Sequence, residues 1–113
     1  MGRSDSPVEI EKKLARDPDL FLVAECEERL IGSVIGGYDG RRGLIYHLAV
    51  GANFRGHGIG SRLMNAVEAR LRDKGCLKCY LLVTNDNRDV EDYYRNRGWQ
   101  HMDSVRLFGK ELL

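Results

Sequence analysis

The residues best suited to chemistry lie in Val50-Gly51-Ala52-Asn53-Phe54-Arg55-Gly56-His57-Gly58-Ile59-Gly60-Ser61. An apolar run ends at Val50, a glycine-rich loop follows, and a helical pattern starts near Ile59. Such a junction aims unsatisfied backbone N–H groups and the positive end of a helix dipole at one point, which makes an anion site. Glycines at 56, 58 and 60 keep side chains away, so a pyrophosphate can approach the backbone itself. The charge pattern agrees. From Gly40 through Val67 there is no acidic residue, but there are four arginines (41, 42, 55 and 62) and two histidines. A net charge of +1 over the chain therefore hides a locally positive segment. Glycine spacing alone would also suit a loop that merely turns the chain.

Two common phosphate loops are excluded residue by residue. A P-loop needs Gly-Lys-[Ser/Thr], and Gly60-Ser61-Arg62 has no lysine there. The dinucleotide pattern G-x-G-x-x-G, begun at Gly56 or Gly58, meets Ser61 or Leu63 where its last glycine belongs. The antiparallel strands read upstream also argue against a Rossmann unit. Cys76 and Cys79 form a C-x-x-C, which could be half a zinc site or a redox pair. No second C-x-x-C or H-x-x-x-H follows, so structural thiols are expected and no metal.

The elements that position this loop can be read from periodicity. Ser6-Pro7-Val8-Glu9 starts a helix, with Ser6 as N-cap, Pro7 at the first helical position and Glu9 closing a capping box. Val8, Ile10 and Leu14 give it an apolar side, and Asp17-Pro18 stops it. Residues 20–26 (LFLVAEC) read as a buried strand, Glu27-Glu28-Arg29 as a tight connection, and 30–38 (LIGSVIGGY) as the returning strand of a hairpin. Gly32, Gly36 and Gly37 point to bulges or close backbone approach. After a turn over 39–43, residues 44–50 (LIYHLAV) make a third antiparallel strand.

The period then becomes helical. Ile59, Leu63, Val67 and Leu71 form one stripe, ended by Gly75. A strand is expected over 78–84 and a short helix through Val90, Tyr93 and Tyr94, capped by Asn85-Asp86-Asn87 and ended by Gly98. A last strand is expected over 105–112. The fold class is α/β, a mixed sheet of α+β type with antiparallel strands followed by β-α-β-α-β.

Composition narrows the classes of function. A chain of 113 residues, 42% hydrophobic, is the size of one domain spanning 1–113. Eighteen basic residues against 17 acidic ones exclude a strongly basic nucleic-acid protein. No apolar run approaches the ~18 residues of a membrane span, and Met1-Gly2-Arg3-Ser4-Asp5 is too polar for a signal peptide. With three cysteines, an odd number, a reducing, cytoplasmic setting is expected.

Arg55-Gly56-His57-Gly58-Ile59-Gly60 resembles the R/Q-x-x-G-x-G/A acyl-CoA motif of the GNAT N-acyltransferase superfamily. It follows Leu48-Ala49-Val50, which is similar to that family's splayed central strand. Downstream, Asn87-x-x-Val90-x-x-Tyr93-Tyr94-x-x-x-Gly98-Trp99 resembles its N-x-x-A-x-x-Y/F-Y-x-x-x-G-F/Y signature, in the same order and separation. The resemblance covers residues 20–112. The family's opening strand and helix have no match, as in a short or truncated member.

The resemblance implies an acetyl-CoA-dependent N-acetyltransferase acting on the primary amine of a small molecule or a protein. It places the pyrophosphate on the amides of Arg55, Gly56, His57, Gly58, Ile59, Gly60 and Ser61. The pantetheine arm would run along Leu48, Ala49 and Val50, with Asn87 near the reacting end and Tyr94 protonating the departing thiolate. Each residue also has a structural reading. Tyr94 could be core, Asn87 a helix cap, Arg55 a solvated loop arginine and His57 a surface residue.

Several members of that family that modify protein N-termini carry a glutamate five residues before the matched asparagine, where this chain has Leu82, a departure that argues against that substrate class. His47 is a candidate general base, acting directly or through water, or is a partly buried strand histidine, and Glu25 and Tyr46 are weaker candidates. The alternative function is an inactive acyl-CoA-binding module. A homodimer through the edge at residues 20–26 or the last strand is expected.

Overall fold

Helix α1 (Pro7–Arg16) starts as its first residues dictate. The Glu9 N–H donates to Ser6 Oγ at 3.4 Å, and Pro7 occupies a position whose N–H would have no helical partner. The Glu9 carboxylate pairs with Lys12 Nζ at 2.9 Å. Asp17 closes the helix by donating its N–H to the Lys13 carbonyl at 2.9 Å. Pro18 then opens a short 3-10 turn, Pro18–Leu20, which buries the Leu20 side chain completely. The computed structural model describes residues 6–83 and 90–113. The chain divides into two compact units, Met1–Leu82 and Val83–Leu113.

In the first unit, β1 (Phe21–Cys26), β2 (Arg29–Tyr38), β3 (Arg42–Val50) and β4 (Lys78–Leu81) form one sheet in the order β1-β2-β3-β4. The first three are antiparallel, and β4 runs parallel to β3. Glu27 and Glu28 join β1 to β2 with φ of 51° and 65°. Two left-handed residues in succession match the twist of a hairpin, although glycine or asparagine usually fills such places. β1 corrects the expectation of a buried strand: it pairs with β2 alone among the described residues, and Val23 is 47% exposed. An edge strand is covered less than an interior one.

Helix α2 (Ile59–Asp73) packs on one face of this sheet. Leu63, Val67 and Leu71 of the expected stripe are buried, as is Met64 beside them, against Leu20, Val34 and Ile45. The glycines of β2 explain how closely the layers meet. A Cβ on Gly36 would lie 2.8 Å from Val67 Cγ2, and one on Gly32 would lie 3.1 Å from Leu63 Cδ1. The helix ends as Gly75 predicts. At φ 90° its N–H reaches the Arg72 carbonyl (2.9 Å), and the Cys76 N–H reaches that of Leu71 (3.0 Å). No helix among the described residues is long and apolar enough to cross a membrane.

The second unit holds α3 (Val90–Asn96), closed by the same device. Gly98 has φ 93°, its N–H bonds the Arg95 carbonyl at 3.1 Å, and the Trp99 N–H bonds that of Tyr94 at 3.0 Å. The expected last strand over 105–112 is not formed. A strand is stabilised by the ladder beside it rather than by its own propensity, and Leu107, Phe108 and Leu112 are 80%, 88% and 84% exposed. Gly109 and the charges of Lys110 and Glu111 interrupt the apolar run. Thr84 and the Asn85-Asp86-Asn87 cap lie outside the described residues. The class is a mixed α/β fold with a four-stranded mixed sheet and three α-helices among those residues.

Candidate active site

Strand β3 changes character at its middle. Ser33 pairs with Ala49 and Ile35 with Tyr46, so two steps along β2 face three along β3. The extra residue falls at His47-Leu48, and His47 has φ 54°, uncommon for a residue with a Cβ. This bulge lies next to the point where β3 and β4 part. Their pairing covers Arg42–Ile45 of β3, and the Leu82 N–H donates to the Ile45 carbonyl at 3.2 Å. Beyond Ile45, β3 continues to Val50 with no β4 residue paired to it.

The backbone of that second half alternates in direction. The Gly51 N–H donates to the Ile31 carbonyl at 2.7 Å, and Ala49 is paired with Ser33, so both face β2. Leu48 and Val50 therefore turn their N–H and C=O groups to the side β4 has left. The Val50 carbonyl meets Arg55 Nε there, at 3.2 Å. Of Leu48, Ala49 and Val50, the first and last turn their backbone to the side that β4 has left, and Ala49 turns its own to β2.

A short 3-10 turn, Ala52–Phe54, leads from β3 into the glycine loop. Gly56 and Gly58 have φ of 82° and 81°, with nothing within 4 Å of the place a Cβ would take. They are glycines because the backbone is left-handed there, not because the space is crowded. Gly60 differs: its Cβ position lies 3.7 Å from Val50 Cγ2, at the contact between the start of α2 and the end of β3. Gly58 caps α2 without a side chain, and no acidic residue occupies the first turn. The N–H groups of Ile59, Gly60 and Ser61 are thus at the positive end of a helix that supplies no anion of its own. Arg55 and His57 are exposed, and Ser61 is half-buried.

The acid–base candidates fall in different units. His47, on the bulge, is exposed rather than partly buried, and its ring lies 5.3 Å from that of Tyr46. Glu25 is exposed on β1. Tyr94, in the second unit, is half-buried with its ring 5.1 Å from that of Tyr93 at 76°. Burial first, and then the neighbouring Tyr93, pushes the Tyr94 phenol above its ordinary pKa, so it keeps its proton. Asn87 lies outside the described residues.

Cys79 stands at the entrance to β4, and burial, followed by the nearby Cys76, pushes its thiol up to about 11. Cys76 Sγ donates to the Lys78 carbonyl at 3.2 Å. Among the described residues, no group of three or more His, Cys, Asp or Glu could hold a metal ion.

One feature escaped the sequence. A cavity of about 290 Å³ lies between α1 and the sheet, with Ile10, Ile35 and Tyr46 as apolar lining and Glu9, Lys12, Lys13 and Arg16 around them. Its signal was Lys12, Lys13 and Arg16 on adjacent turns of one helix.

A bulged strand parts from its parallel neighbour and is followed by a glycine loop and a bare helix N-terminus. The chain belongs to the acetyltransferase (GNAT) family, whose profile matches residues 2–99, and its class is that of acetyl-transferring enzymes. An acetyltransferase of Sodalis glossinidius (strain morsitans) is 44% identical over 110 residues, covering 97% of this chain and 78% of that protein. An acetyltransferase of Pectobacterium atrosepticum is also 44% identical, covering 97% and 77%.

Among solved structures, Ard1 from Thermoplasma volcanium matches with a TM-score of 0.75 at 28% identity. The match covers 82% of this chain and 64% of that one, so the chain spans less than two thirds of that structure's length. The PaiA N-acetyltransferase of Thermoplasma acidophilum, solved in complex with coenzyme A, shares the fold with a TM-score of 0.80 at 22% identity, over 90% of this chain and 67% of that one.

Proposed function

We propose that residues 1–113 act as one domain that moves an acetyl group from acetyl-CoA to a primary amine in a ternary complex, in the cytoplasm. The observation that carries this reading is the outward backbone of Leu48 and Val50 ending in the left-handed Gly56 and Gly58. The pyrophosphate is held by the amides of the Arg55 to Ser61 loop, where Gly56, His57, Gly58, Ile59 and Gly60 offer backbone and Arg55 a positive charge. The pantetheine amides pair with Leu48 and Val50, and Ala49 serves by holding β3 to β2. Asn87 contacts the same arm.

The amine nitrogen attacks the thioester carbonyl, a C–N bond forms, and the C–S bond breaks with its electron pair leaving on sulfur. Tyr94 gives its proton to that thiolate, and His47 takes the proton that the amine loses, directly or through water. The products are an N-acetyl amine and free CoA thiol. Holding both substrates in place supplies most of the rate, with backbone donors near Val50 polarising the carbonyl. The acceptor belongs to a small molecule or a protein, and two copies of the chain associate through the exposed edge of β1.

Leu82 supports a second reading, a module that binds acyl-CoA without turnover, because a carboxylate base is replaced there by an apolar side chain. Release of free thiol from acetyl-CoA across a panel of amines, with the acetylated product weighed by mass spectrometry, separates the two. Amine-dependent thiol release matched by product supports transfer. Binding of acetyl-CoA with no amine-dependent release assigns the module.

A further inference from the structure

The cavity between α1 and the sheet points to the chemistry of the acceptor. Its volume of about 290 Å³ is at the small end for ligand pockets, enough for an amine of amino-acid size. Ile10 and Ile35 give an apolar wall, and Tyr46 completes it. Tyr46 directly precedes His47, where the bulge begins and β3 leaves β4. An amine reaching that end of the cavity lies beside the strand segment along which the acyl donor is proposed to run.

The surrounding charges are three cations to one acid. Lys13 is already neutralised: its Nζ lies 2.9 Å from Asp17, with both side chains about 15% exposed. Lys12 and Arg16 differ, being 65% and 69% exposed and one turn apart on the same face of α1. Lys12 is held by Glu9 in an exposed pair, which is worth little and readily exchanged. Arg16 gives Nη2 to the Tyr38 carbonyl at 3.2 Å and lies 3.6 Å from Asp17 through Nε, and a guanidinium has five donors in all. Two long, largely exposed cations lining a small, partly apolar cavity suit a carboxylate at one end of a ligand whose amine is at the other.

We infer that this cavity is the acceptor site and that it selects a small amine bearing a carboxylate, of the α-amino acid class. Lys12 and Arg16 hold the carboxylate, Ile10 and Ile35 pack the side chain, and the amine lies at Tyr46. The inference rests on the acetyl-transfer reading for what happens to the amine, but not for the binding itself.

Leucine and 3-methylbutylamine differ only by the carboxylate and form the test pair. The first arm follows the backbone amide signals of Ile35 and Tyr46 by NMR during titration with each compound, with no acetyl-CoA present. The second arm measures thiol release from acetyl-CoA with each. Leucine is expected to bind, and to be acetylated by kcat/KM, at least ~10-fold better, as charge-assisted contacts to one carboxylate would give. The double variant Lys12→Gln/Arg16→Gln brings both ratios close to one, and Arg29→Gln, a loss of charge at the distant β1–β2 turn, leaves them unchanged.

Equal binding of the two compounds, or a preference for leucine that survives the double variant, overturns the inference. Selective binding with no thiol release keeps the site and removes the acetyl-transfer reading. Thiol release without leucine preference does the reverse. No perturbation at Ile35 and Tyr46 by either compound removes the site outright.

Discussion

Tyr94 shows how one side chain can carry two explanations that an experiment can part. Its carbonyl accepts from the Arg97 and Trp99 N–H groups at the end of α3, a backbone task any residue could do, whereas its phenol is half-buried and held protonated. Tyr94→Phe removes the proton donor and keeps the ring, so folding and acetyl-CoA affinity should change little while kcat falls roughly 10²-fold or more. Tyr93→Phe is the control, since it projects about 100° away on the same helix. Comparing kcat for the two variants decides the matter, and equal mild losses would return Tyr94 to a packing role.

Cys79 gives a prediction with a definite sign. Its folded pKa of about 11 exceeds the ordinary 9.0, so its contribution to stability is complete below pH 9 and is lost as pH rises toward 11. Denaturant midpoints measured across that window should fall, and the fall should be shallower in Cys79→Ala. An unchanged slope would show that the thiol titrates normally.

At the scale of elements, the β2 glycines set the distance between the sheet and α2. Gly36→Ala forces a Cβ to 2.8 Å from Val67 Cγ2 and should cost about 1–3 kcal/mol by overpacking. Gly37→Ala, on the next residue, meets Lys13 Nζ only at 3.5 Å and should be neutral or slightly stabilising. Chemical denaturation of the pair checks this, and equal costs would contradict the packing account.

What was legible in the sequence follows the same logic. The Ser6 cap, the Gly75 and Gly98 stops, the α2 stripe and the strand–loop–helix junction at Val50 to Ser61 are all specified by near neighbours. The His47 bulge was not, because a left-handed histidine has no local signal and is fixed by the ladder around it. Nor was the fate of residues 105–112, whose apolar run needs a neighbouring strand to become one. Met64 escaped because it lies one residue beyond Leu63 of the stripe. The α1 cavity shows along the chain only as the spacing of Lys12, Lys13 and Arg16, and its apolar wall depends on the packing of α1 against the sheet.

For the molecule as a whole, the locally positive segment from Gly40 to Val67 lies within the family match over residues 2–99 and suits the proposed anionic acyl-CoA. Two copies are proposed to meet at β1, whose outer edge exposes Val23, and light scattering at high concentration checks it: a clean monomer would remove that proposal.

The central claim is that the Gly56 to Ser61 loop and the parted strand receive acyl-CoA, and thermal unfolding with competing nucleotides tests it most directly. A ligand that binds only the folded chain adds about 2.7 kcal/mol at 100 times its Kd, a rise in Tm on the order of 10 °C for a domain this size. Acetyl-CoA should produce such a shift, with ATP and NAD at equal concentration producing far smaller ones. An ATP shift equal to or larger than that of acetyl-CoA would contradict the account.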